Sequence, residues 1–469
     1  MMRTVFLLYI IIQSNICFAQ NFKPANSATD RIISKLVKES NIAGLSIAVS
    51  HKDSLVWNKS YGYSNLEHNI PTSEKSKFRI ASVSKLLTGT AIYKLHKQEL
   101  INLQDPISKY LDSIPNSWEN ITIEQIAQHT SGIGHYIDEN DALDVHYYQT
   151  TDEALKKFKD RPLVHNPDED VTYSSYAYTV LAAIIESVTK KSFQNAMKDL
   201  VFKPLKMNQT EVDDQKKIII NRTGFYQYNT IREPEHSPFI DLSAKWAGSG
   251  YLSTAIDLVK FGSAHTFNSS YLTREDLNIL TSPRTLNDTL KTKEGLGWGQ
   301  RTSWDDEMMY WGDGRTPGST CGLLVFPEYN LSIAIVSNMR HAPIERSEFE
   351  LLSKRYIAAI KGEKISELKI GDVGNYKLDI SIQENIYNGK LDLFLLKDNY
   401  GSFNFHEAQN FPISDAFWRY GKLWIYAIGG GKQPISVGVL PIKLDIEENK
   451  VSGEIFRINA NVLGIKQVD

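Results

Sequence analysis

The sequence predicts an α+β fold in two parts: a large domain with an antiparallel sheet flanked by helices, and a smaller all-β domain after it. β-rich segments occur at 43–61 and again at 323–337, and helical patterns fill the interval between them. After Gly362 the chain changes to short alternating or β-rich runs without a long helical pattern. This order fits one sheet built from both ends of a large domain, followed by a small barrel or sandwich.

Length and composition exclude several classes of protein. The chain has 469 residues, which is more than a single domain usually contains. It carries 52 Lys and Arg against 55 Asp and Glu, and this balance argues against a nucleic-acid-binding protein, because such proteins have a basic excess. Two cysteines exclude a disulfide scaffold and a cysteine-rich metal site. We expect a small-molecule or peptide substrate as the partner, and the oligomeric state is not predicted.

The first 19 residues are typical of a secretory signal peptide. Arg3 supplies a basic start, residues 5–12 form an unbroken apolar run, and the segment ends in the small residue Ala19. The apolar run is too short to cross roughly 30 Å of hydrocarbon, so a membrane anchor is the weaker interpretation. Lipidation at Cys17 is a second alternative, although Ile16 is a poor match to the small residue expected before such a cysteine. We therefore expect cleavage after Ala19 and a periplasmic or secreted mature chain without a membrane span.

The elements of the large domain follow from their patterns in chain order. Two strands around a turn at 51–53 are predicted at 43–49 and 54–61. Helices are predicted at 86–95, 123–128, 176–188 and 256–261, the last with Ser253-Thr254 as its cap. Paired strands are predicted at 323–326 and 331–337, and a final helix at 346–360 that ends at Gly362.

The C-terminal segment is predicted to contain strands throughout. Alternating or β-rich runs occur at 376–382, 390–396, 423–428, 436–446 and 451–459. Asn388-Gly389 lies between the first two runs, and this dipeptide is a strong signal for a tight hairpin turn. The segment after Gly362 is therefore predicted to fold as a separate β domain without a catalytic group.

The first candidate for chemistry is Ser82-Val83-Ser84-Lys85 at the start of a predicted helix. The three-residue spacing places Ser82 and Lys85 on one helical face, about one turn apart. A lysine in that position can accept the serine proton where burial and neighbours lower its pKa. The helix N-terminus also favours developing negative charge. Alone, the pattern is weak evidence, because both residues are common and a chance match is more frequent.

Two further segments carry candidate groups. Tyr173-Ser174-Ser175 precedes the helix predicted at 176–188, and a Tyr hydroxyl near a lysine can act as general base and then as general acid. Gly312-Asp313-Gly314-Arg315 precedes a predicted strand, and a glycine-rich strand edge lets a substrate approach backbone N–H groups. Taken separately, the first segment is also explained by a Tyr that packs at a helix start, and the second by an ordinary hairpin or bulge.

Together and in this order, the three segments resemble the serine β-lactamase and penicillin-binding-protein superfamily. The resemblance covers roughly residues 30–345 and is greatest to the class C-like branch, which includes class C β-lactamases, D-alanyl-peptide hydrolases, related esterases and the mitochondrial serine β-lactamase-like proteins. It rests on the phrases FRIASVSK (78–85), QHTSGI (128–133), YSSYAYTVLAAIIE (173–186), KWAGSGYLSTAIDLVKF (245–261) and PGSTCGLLVFPEYNLSIAIVSN (317–338). It implies that residues 20–362 form a β-lactamase/transpeptidase-like domain, which includes a helical subdomain. It also implies that residues 363–469 form an appended lipocalin-like β-barrel.

The resemblance also implies an activity: a secreted serine hydrolase that acts through an acyl-enzyme on amide or ester bonds of peptides, D-amino-acid peptides or esters. Ser82 would be the nucleophile, Lys85 would take or relay its proton, and Tyr173 would be the partner acid and base. The N–H groups of Ser82 and Arg315 would form the oxyanion hole. The other residues implied on the substrate side are Ser175, Gly312, Asp313 and Gly314. No metal and no organic cofactor is implied.

Two positions depart from the pattern of the family. The family usually has Asn two residues after the Tyr, where this chain has Ser175. Its strand edge usually begins Lys-Thr-Gly or His-x-Gly, whereas Gly312 provides no side chain to bind a substrate carboxylate. The alternative is therefore a non-catalytic binding or filament-forming protein that kept the fold. His129, in the HTSG turn, and Cys321, in a predicted strand, are interpreted as structural.

Overall fold

The computed structural model describes residues 22–286, 290–303, 306–344, 346–363, 365–367, 374–382, 385–396, 399–405, 409–419, 422–428, 439–447, 450–455 and 460–467. The signal peptide expected at 1–19 lies outside the described residues and stays a prediction. Among the described residues, no helix combines the length and apolar character needed to cross a membrane. The chain forms two compact units, one of residues 42–342 and one of the residues before and after them. The domain boundary expected at 362 stays a prediction.

The unit of residues 42–342 contains strands and helices in alternating groups. Its strands are β1 (Gly44–His51), β2 (Ser54–Asn65), β3 (Ile70–Pro71), β4 (Phe78–Arg79), β5 (Glu211–Val212), β6 (Tyr226–Tyr228), β7 (Pro234–His236), β8 (Tyr251–Ser253), β9 (Gly299–Thr302), β10 (Met308–Thr316), β11 (Ser319–Phe326) and β12 (Leu331–Ser337). After a helix at residues 22–39 (α1) in the other unit, its helices are α2 (Ser84–Lys97), α3 (Ile123–Ala127), α4 (Glu139–Ala142), α5 (Thr151–Lys156), α6 (Ser175–Thr189), α7 (Phe193–Met197), α8 (Trp246–Ser249), α9 (Ala255–Ser263) and α10 (Arg274–Thr281).

The main sheet is antiparallel and has the strand order β3-β2-β1-β12-β11-β10-β9. The first long strand lies beside the last one, with Leu45 opposite Ser337. This confirms the prediction of a sheet built from both ends of the domain. Every residue of β1, β11 and β12 is buried, as expected for central strands that are covered on both faces. β2, next to the edge, is mostly exposed or partly exposed.

The long helices occur where the apolar spacing predicts them, within one or two residues at each end. α6 begins after Ser174, whose hydroxyl accepts a hydrogen bond from the N–H of Ala177. α9 begins after Thr254, which caps it in the same way. Both caps satisfy backbone N–H groups that have no partner inside a helix. A separate three-stranded sheet, β4-β8-β5, was not predicted. Its strands have only two or three residues, which is too short to show an alternation of apolar and polar side chains.

The described residues after 345 form a helix and an all-β unit. Helix α11 (Arg346–Lys361) is followed by β13 (Ser366–Glu367), β14 (Gly374–Ile382), β15 (Asn385–Leu396), β16 (Asn399–Phe405), β17 (Gln409–Arg419), β18 (Lys422–Ile428), β19 (Val439–Glu447), β20 (Lys450–Ile455) and β21 (Ala460–Gln467). From β14 onwards each strand pairs with the next, and β21 pairs back with β14. The strands therefore close into an antiparallel barrel, which confirms the prediction of a small β-barrel.

Apolar side chains fill the inside of this barrel. Those that are almost fully buried are Leu391, Ile413, Ala416, Leu423, Ile425, Ile442, Leu444 and Val462. The hairpin turn predicted at Asn388-Gly389 is wrong, since Asn388 pairs with Asp379 in the middle of a ladder. The chain reverses between Ile382 and Asn385 instead. An Asn-Gly dipeptide is only a local preference, and the pairing of whole strands overrides it.

Candidate active site

Ser82 lies in a tight turn that runs directly into α2. Residues Ala81–Val83 form a single 3₁₀ turn, and Ala81 has a φ of 46°. The left-handed region is unfavourable for a residue with a Cβ, at a cost of about 1–2 kcal/mol, and persists only where packing enforces it. Ala81, Val83 and Ser84 are buried, whereas Ser82 is partly exposed. The turn therefore presents one serine to solvent at the N-terminus of a helix.

Lys85 follows one turn later and is only 2% exposed. Its Nζ lies 2.8 Å from the carbonyl oxygen of Gly248, 3.0 Å from Ser175 Oγ and 3.5 Å from Ser82 Oγ. Burial lowers the pKa of Lys85 to about 7, the carboxylate of Glu294 opposes this shift, and the ammonium of Lys245 adds to it. A large fraction of the Lys85 amine is therefore unprotonated near neutral pH, as a general base requires.

The contacts of Lys85 determine which proton it can accept. A neutral amine has two N–H hydrogens and one lone pair. The two shorter contacts are to oxygen acceptors, Gly248 O and Ser175 Oγ, and they use both hydrogens. The separation of 3.5 Å from Ser82 is longer than an ordinary hydrogen bond, and it leaves the lone pair for the serine hydroxyl.

Tyr173 lies on the other side of Ser82. Its hydroxyl donates to Ser82 Oγ at 2.7 Å, and its ring lies 4.5 Å from Lys85 Nζ. Burial raises the pKa of the Tyr173 hydroxyl, and the hydrogen bond with Ser82 only partly opposes this. Tyr173 is therefore a neutral phenol at neutral pH. Lys85 is the better base of the two, and Tyr173 is suited to donate or relay a proton.

Two histidines hold the start of α6, where Tyr173 is placed. His129 Nδ1 accepts from the N–H of Ser174 at 3.1 Å, and His135 Nδ1 accepts from the N–H of Ser175 at 3.2 Å. These bonds assign the ring proton of each histidine to Nε2. Burial lowers the pKa of His129 well below its usual value and that of His135 to about 4. Both rings are neutral acceptors that position Tyr173, and this agrees with the structural interpretation of His129.

The strand edge lies directly against Ser82. β9 begins at Gly299 opposite Trp311, so residues 312–316 of β10 form the edge of the sheet. A Cβ on Gly314 would lie 2.4 Å from the backbone nitrogen of Ser82, which makes a side chain there incompatible with this approach. Arg315 is the next residue, and its side chain is exposed. The oxyanion hole expected from the N–H groups of Ser82 and Arg315 stays a prediction.

Gly312 has a neighbour that the sequence did not indicate. A Cβ at this position would lie 2.3 Å from Leu86 Cδ1. Leu86 therefore fills the space next to Gly312, where the family pattern has Lys or His. The exposed Asp313 follows, and its Oδ1 accepts from Trp311 Nε1 at 2.9 Å. Arg301, which could replace a cation here, donates instead to the carbonyls of Lys293 and Gln300.

The sequence analysis missed three groups near Lys85. The Gly248 carbonyl and the Lys245 side chain come from KWAGSGYLST, a phrase used only to identify the family. Glu294 had no signal in the sequence. Its Oε2 lies 3.8 Å from His129 Nε2, and burial raises its pKa. Ser175, expected on the substrate side, is buried and bonded to Lys85, and Cys321 is buried in β11.

The chain is similar to several known proteins. The serine beta-lactamase-like protein LACTB, mitochondrial, of Homo sapiens is 26% identical over 368 residues, with 60% of this chain and 66% of that protein covered. The octameric penicillin-binding protein homologue from Pyrococcus abyssi has a TM-score of 0.60 and 18% identity, over 93% of this chain and 99% of that one. The D-amino acid amidase from Ochrobactrum anthropi SV3 has a TM-score of 0.62 and 20% identity, over 72% and 99%.

These likenesses differ in what they establish. The chain matches 66% of the human protein's length, slightly less than two thirds. The two solved structures share the fold, and their identities are too low to indicate more. The Beta-lactamase family, in contrast, matches residues 29–353, well over half of the chain. The predicted superfamily is thereby confirmed: this chain belongs to the Beta-lactamase family.

Proposed function

We propose that this chain is a secreted hydrolase that forms an acyl-enzyme on Ser82 with amide or ester substrates. The observation that carries the proposal is the position of the Ser82 hydroxyl between the Tyr173 hydroxyl, at 2.7 Å, and the buried amine of Lys85, at 3.5 Å. A nucleophile, a base with a lowered pKa and a neutral proton donor are thus within reach of one another. Such an arrangement is the requirement for acyl transfer from a weak nucleophile.

The proposed reaction begins with proton transfer from Ser82 to Lys85. The Ser82 oxygen then attacks the acyl carbon, and the N–H groups of Ser82 and Arg315 stabilise the oxyanion. The proton on Lys85 passes through the Tyr173 hydroxyl to the leaving amine or alcohol, which departs as a neutral molecule. Water then attacks the acyl-enzyme by the reverse sequence, which releases the acid and returns the proton to Ser82.

The strand edge favours a substrate that has no carboxylate at the point where the family's Lys or His usually binds one. Gly312 provides no side chain, and Leu86 fills the adjacent space. Uncharged esters and amides, including peptide bonds away from a free C-terminus, do not need that contact, whereas β-lactams carry a carboxylate that would lack its partner. We therefore propose peptides, D-amino-acid peptides or esters as substrates, with weak β-lactamase activity. One of the solved structures with a similar fold is a D-amino acid amidase, and this likeness supports the proposal of amide substrates.

Covalent labelling tests this proposal. A fluorophosphonate probe should label the purified protein, and mass spectrometry should place the adduct on Ser82. Ser84 and Ser131 are controls in the same part of the chain, because both are buried and should remain unlabelled. Ser82→Ala should abolish labelling with an unchanged melting temperature. An adduct on another serine, or no adduct, would contradict the proposal and favour a non-catalytic binding or filament-forming protein.

The proposed secretion has a separate test. The signal-peptide pattern of residues 1–19 is the support for it. Expression in a host with a secretory pathway should yield a mature chain that begins at Gln20 and is found outside the cytoplasm. An intact N-terminus in the cytoplasm would contradict this part of the proposal and leave the labelling result unaffected.

A further inference from the structure

Lys245 is a buried amine that the proposed reaction does not use. It is 2% exposed and ends the short 3₁₀ turn Ser243–Lys245, directly before α8. Its Nζ donates to the carbonyl of Ala142 at 2.6 Å and lies 4.4 Å from the ring centroid of Tyr136. Removing an ammonium group from water without a carboxylate partner costs several kcal/mol. The position of this lysine therefore calls for an explanation other than stability.

The carboxylates closest to Lys245 are already paired with other cations. Lys157 lies 3.1 Å from Asp141 and 2.6 Å from Asp144, and Arg161 lies 2.7 Å from Asp141. Among the described residues, no carboxylate forms an ion pair with Lys245. Its positive charge is consequently not neutralised by a contact and acts on the groups around it.

One set of contacting groups connects Lys245 with Lys85. α8 begins directly after Lys245, and the Gly248 carbonyl in that helix binds Lys85 Nζ. The ring of Tyr136, next to the Lys245 ammonium, packs in a tilted arrangement against His135, with the ring centroids 3.8 Å apart. His135 in turn accepts from the N–H of Ser175, whose hydroxyl binds Lys85. Partly buried rings, neutral hydroxyls and backbone separate the two amines, and both amines are themselves buried, so water screens their repulsion poorly.

We propose that Lys245 is a positioning residue whose ammonium keeps Lys85 in its free-base form. The inference rests on the proposed function, because it concerns the base that would activate Ser82. A nearby positive charge disfavours the protonated form of an amine, and a buried site strengthens that effect. Lys245 then carries the positive charge, and Lys85 stays unprotonated and can accept a proton.

The order of the two pKa values is in accord with this division. Burial lowers the pKa of Lys245 to about 8, with Lys157 and Arg79 adding to the shift and the two paired carboxylates opposing it. That value lies above the pKa of about 7 for Lys85. At pH 7 Lys245 is therefore mostly charged, whereas about half of Lys85 is unprotonated.

Lys85 also faces groups from other elements. The Glu294 carboxylate raises its pKa and so opposes Lys245. The rings of Tyr173 and Tyr178 lie 4.5 and 5.4 Å from its Nζ, and both phenols stay neutral because burial raises their pKa. His129 is neutral as well, because burial lowers its pKa. Lys245 is thus the cation, and Glu294 the anion, that shift the pKa of Lys85.

The test is the pH dependence of Ser82 labelling in Lys245→Met. In the wild type the labelling rate should rise with pH to a midpoint near the pKa of Lys85 and then level off. In the variant the midpoint should move up by about one pH unit, the order of a like-charge effect in a protein. Below both midpoints the variant should be about tenfold slower, and at high pH the two rates should agree. A lysine with only a structural role would slow labelling equally at every pH.

The controls separate the possible failures. Lys245→Arg keeps the charge and should restore the wild-type midpoint, and Lys260→Met removes a half-exposed lysine paired with Asp257 and should have no effect. If Lys245→Met does not fold, as judged by its melting curve, Lys245→Gln is neutral and can keep the bond to the Ala142 carbonyl. An unchanged midpoint in the folded neutral variant overturns the inference. Absence of labelling in the wild type overturns the proposed function instead.

Discussion

The two sides of the active site differ in how closely they follow the pattern of the family. On the proton-handling side, Ser82, Lys85 and Tyr173 are all present, and Ser82 Oγ lies 2.7 Å from the Tyr173 hydroxyl and 3.5 Å from Lys85 Nζ. On the strand edge, Gly312 replaces a cationic or polar residue, and Leu86 fills the adjacent space. The difference indicates that the groups proposed for acyl transfer and those proposed for substrate selection are physically separate. The first depends on helix starts, and the second depends on one strand.

The largest expected effect comes from the proton-handling side. Lys85→Met and Tyr173→Phe should each reduce the rate of Ser82 acylation by about two to four orders of magnitude, the usual contribution of general acid–base catalysis. The double variant should lose little more, because members of one proton-transfer unit are not additive. Stopped-flow labelling of the three variants measures this. Losses that multiply would show that the two residues act independently.

The strand edge should respond to a paired substitution. Gly312→His alone should not improve binding of a carboxylate, because Leu86 occupies the space for the imidazole. Gly312→His with Leu86→Ala should raise nitrocefin hydrolysis, relative to that of a neutral ester, by about ten- to hundredfold. This corresponds to a charge-assisted contact of ~1.5–3 kcal/mol. Steady-state kinetics on the two substrates measure the ratio.

Two controls accompany this substitution. Leu86→Ala alone isolates the cost of the cavity, which is about 2–5 kcal/mol for a buried leucine. Arg315→Ala and Arg301→Ala test whether an arginine replaces the lost group. If either arginine variant abolishes an efficient nitrocefin turnover of the wild type, the strand edge is not deficient and the comparison between the two sides fails.

A smaller effect should show to which side Ser175 belongs. Its hydroxyl accepts from Lys85 Nζ at 3.0 Å, so Ser175→Ala should destabilise the ammonium form more than the free amine. The pKa of Lys85 should fall further, and the acid limb of the labelling profile should move to lower pH. The rate at its plateau should drop by about tenfold, because the amine is less well held.

The neighbouring serine is the matched control. Ser174→Ala removes the cap of α6 and should lower stability by about 1 kcal/mol without moving the acid limb. A rise in KM for peptide substrates in Ser175→Ala, with an unshifted pH profile, would instead assign Ser175 to the substrate side.

The smallest effect on activity is expected from the barrel. Ile425 is fully buried in it, so Ile425→Ala should destabilise this unit by about 2–5 kcal/mol. Labelling of Ser82 should be unchanged in rate and site, since we expect no catalytic group after Gly362. Calorimetry and labelling on the same sample compare the two units. A reduced labelling rate in the still-folded variant would show that the barrel contributes to the site.

The contrast between the two sides also explains what could be predicted. Ser82 and Lys85 are three residues apart in one helix, and Tyr173 directly precedes a capped helix, so local spacing and the family pattern identify all three. The role of Gly314 as the point of close approach to Ser82 was indicated only as a glycine-rich edge. A glycine is needed at this position because β10 lies very close to the turn at Ala81, and these two segments are far apart in the chain.

The wrong turn and the residues that the sequence did not indicate have one physical cause, which is contact between segments rather than a local sequence pattern. The turn expected at Asn388-Gly389 is displaced because strand pairing along the whole of β14 and β15 sets the register. Glu294 and Lys245 affect Lys85 from segments far from it in sequence, and no local motif of the kind used to find Ser82 marks either residue. Leu86 was unremarkable in the sequence until its contact with Gly312 was known.

The sequence by itself indicated the family, the long helices and central strands, and the three residues proposed to handle protons. Each depends on short-range spacing, which a helix or strand converts directly into geometry. Only the tertiary structure decided that Lys85 is buried enough to be a base, that the Tyr173 hydroxyl reaches Ser82, and that Leu86 fills the space next to Gly312. Those properties come from desolvation and close packing between distant segments, and both arise only when the chain has folded.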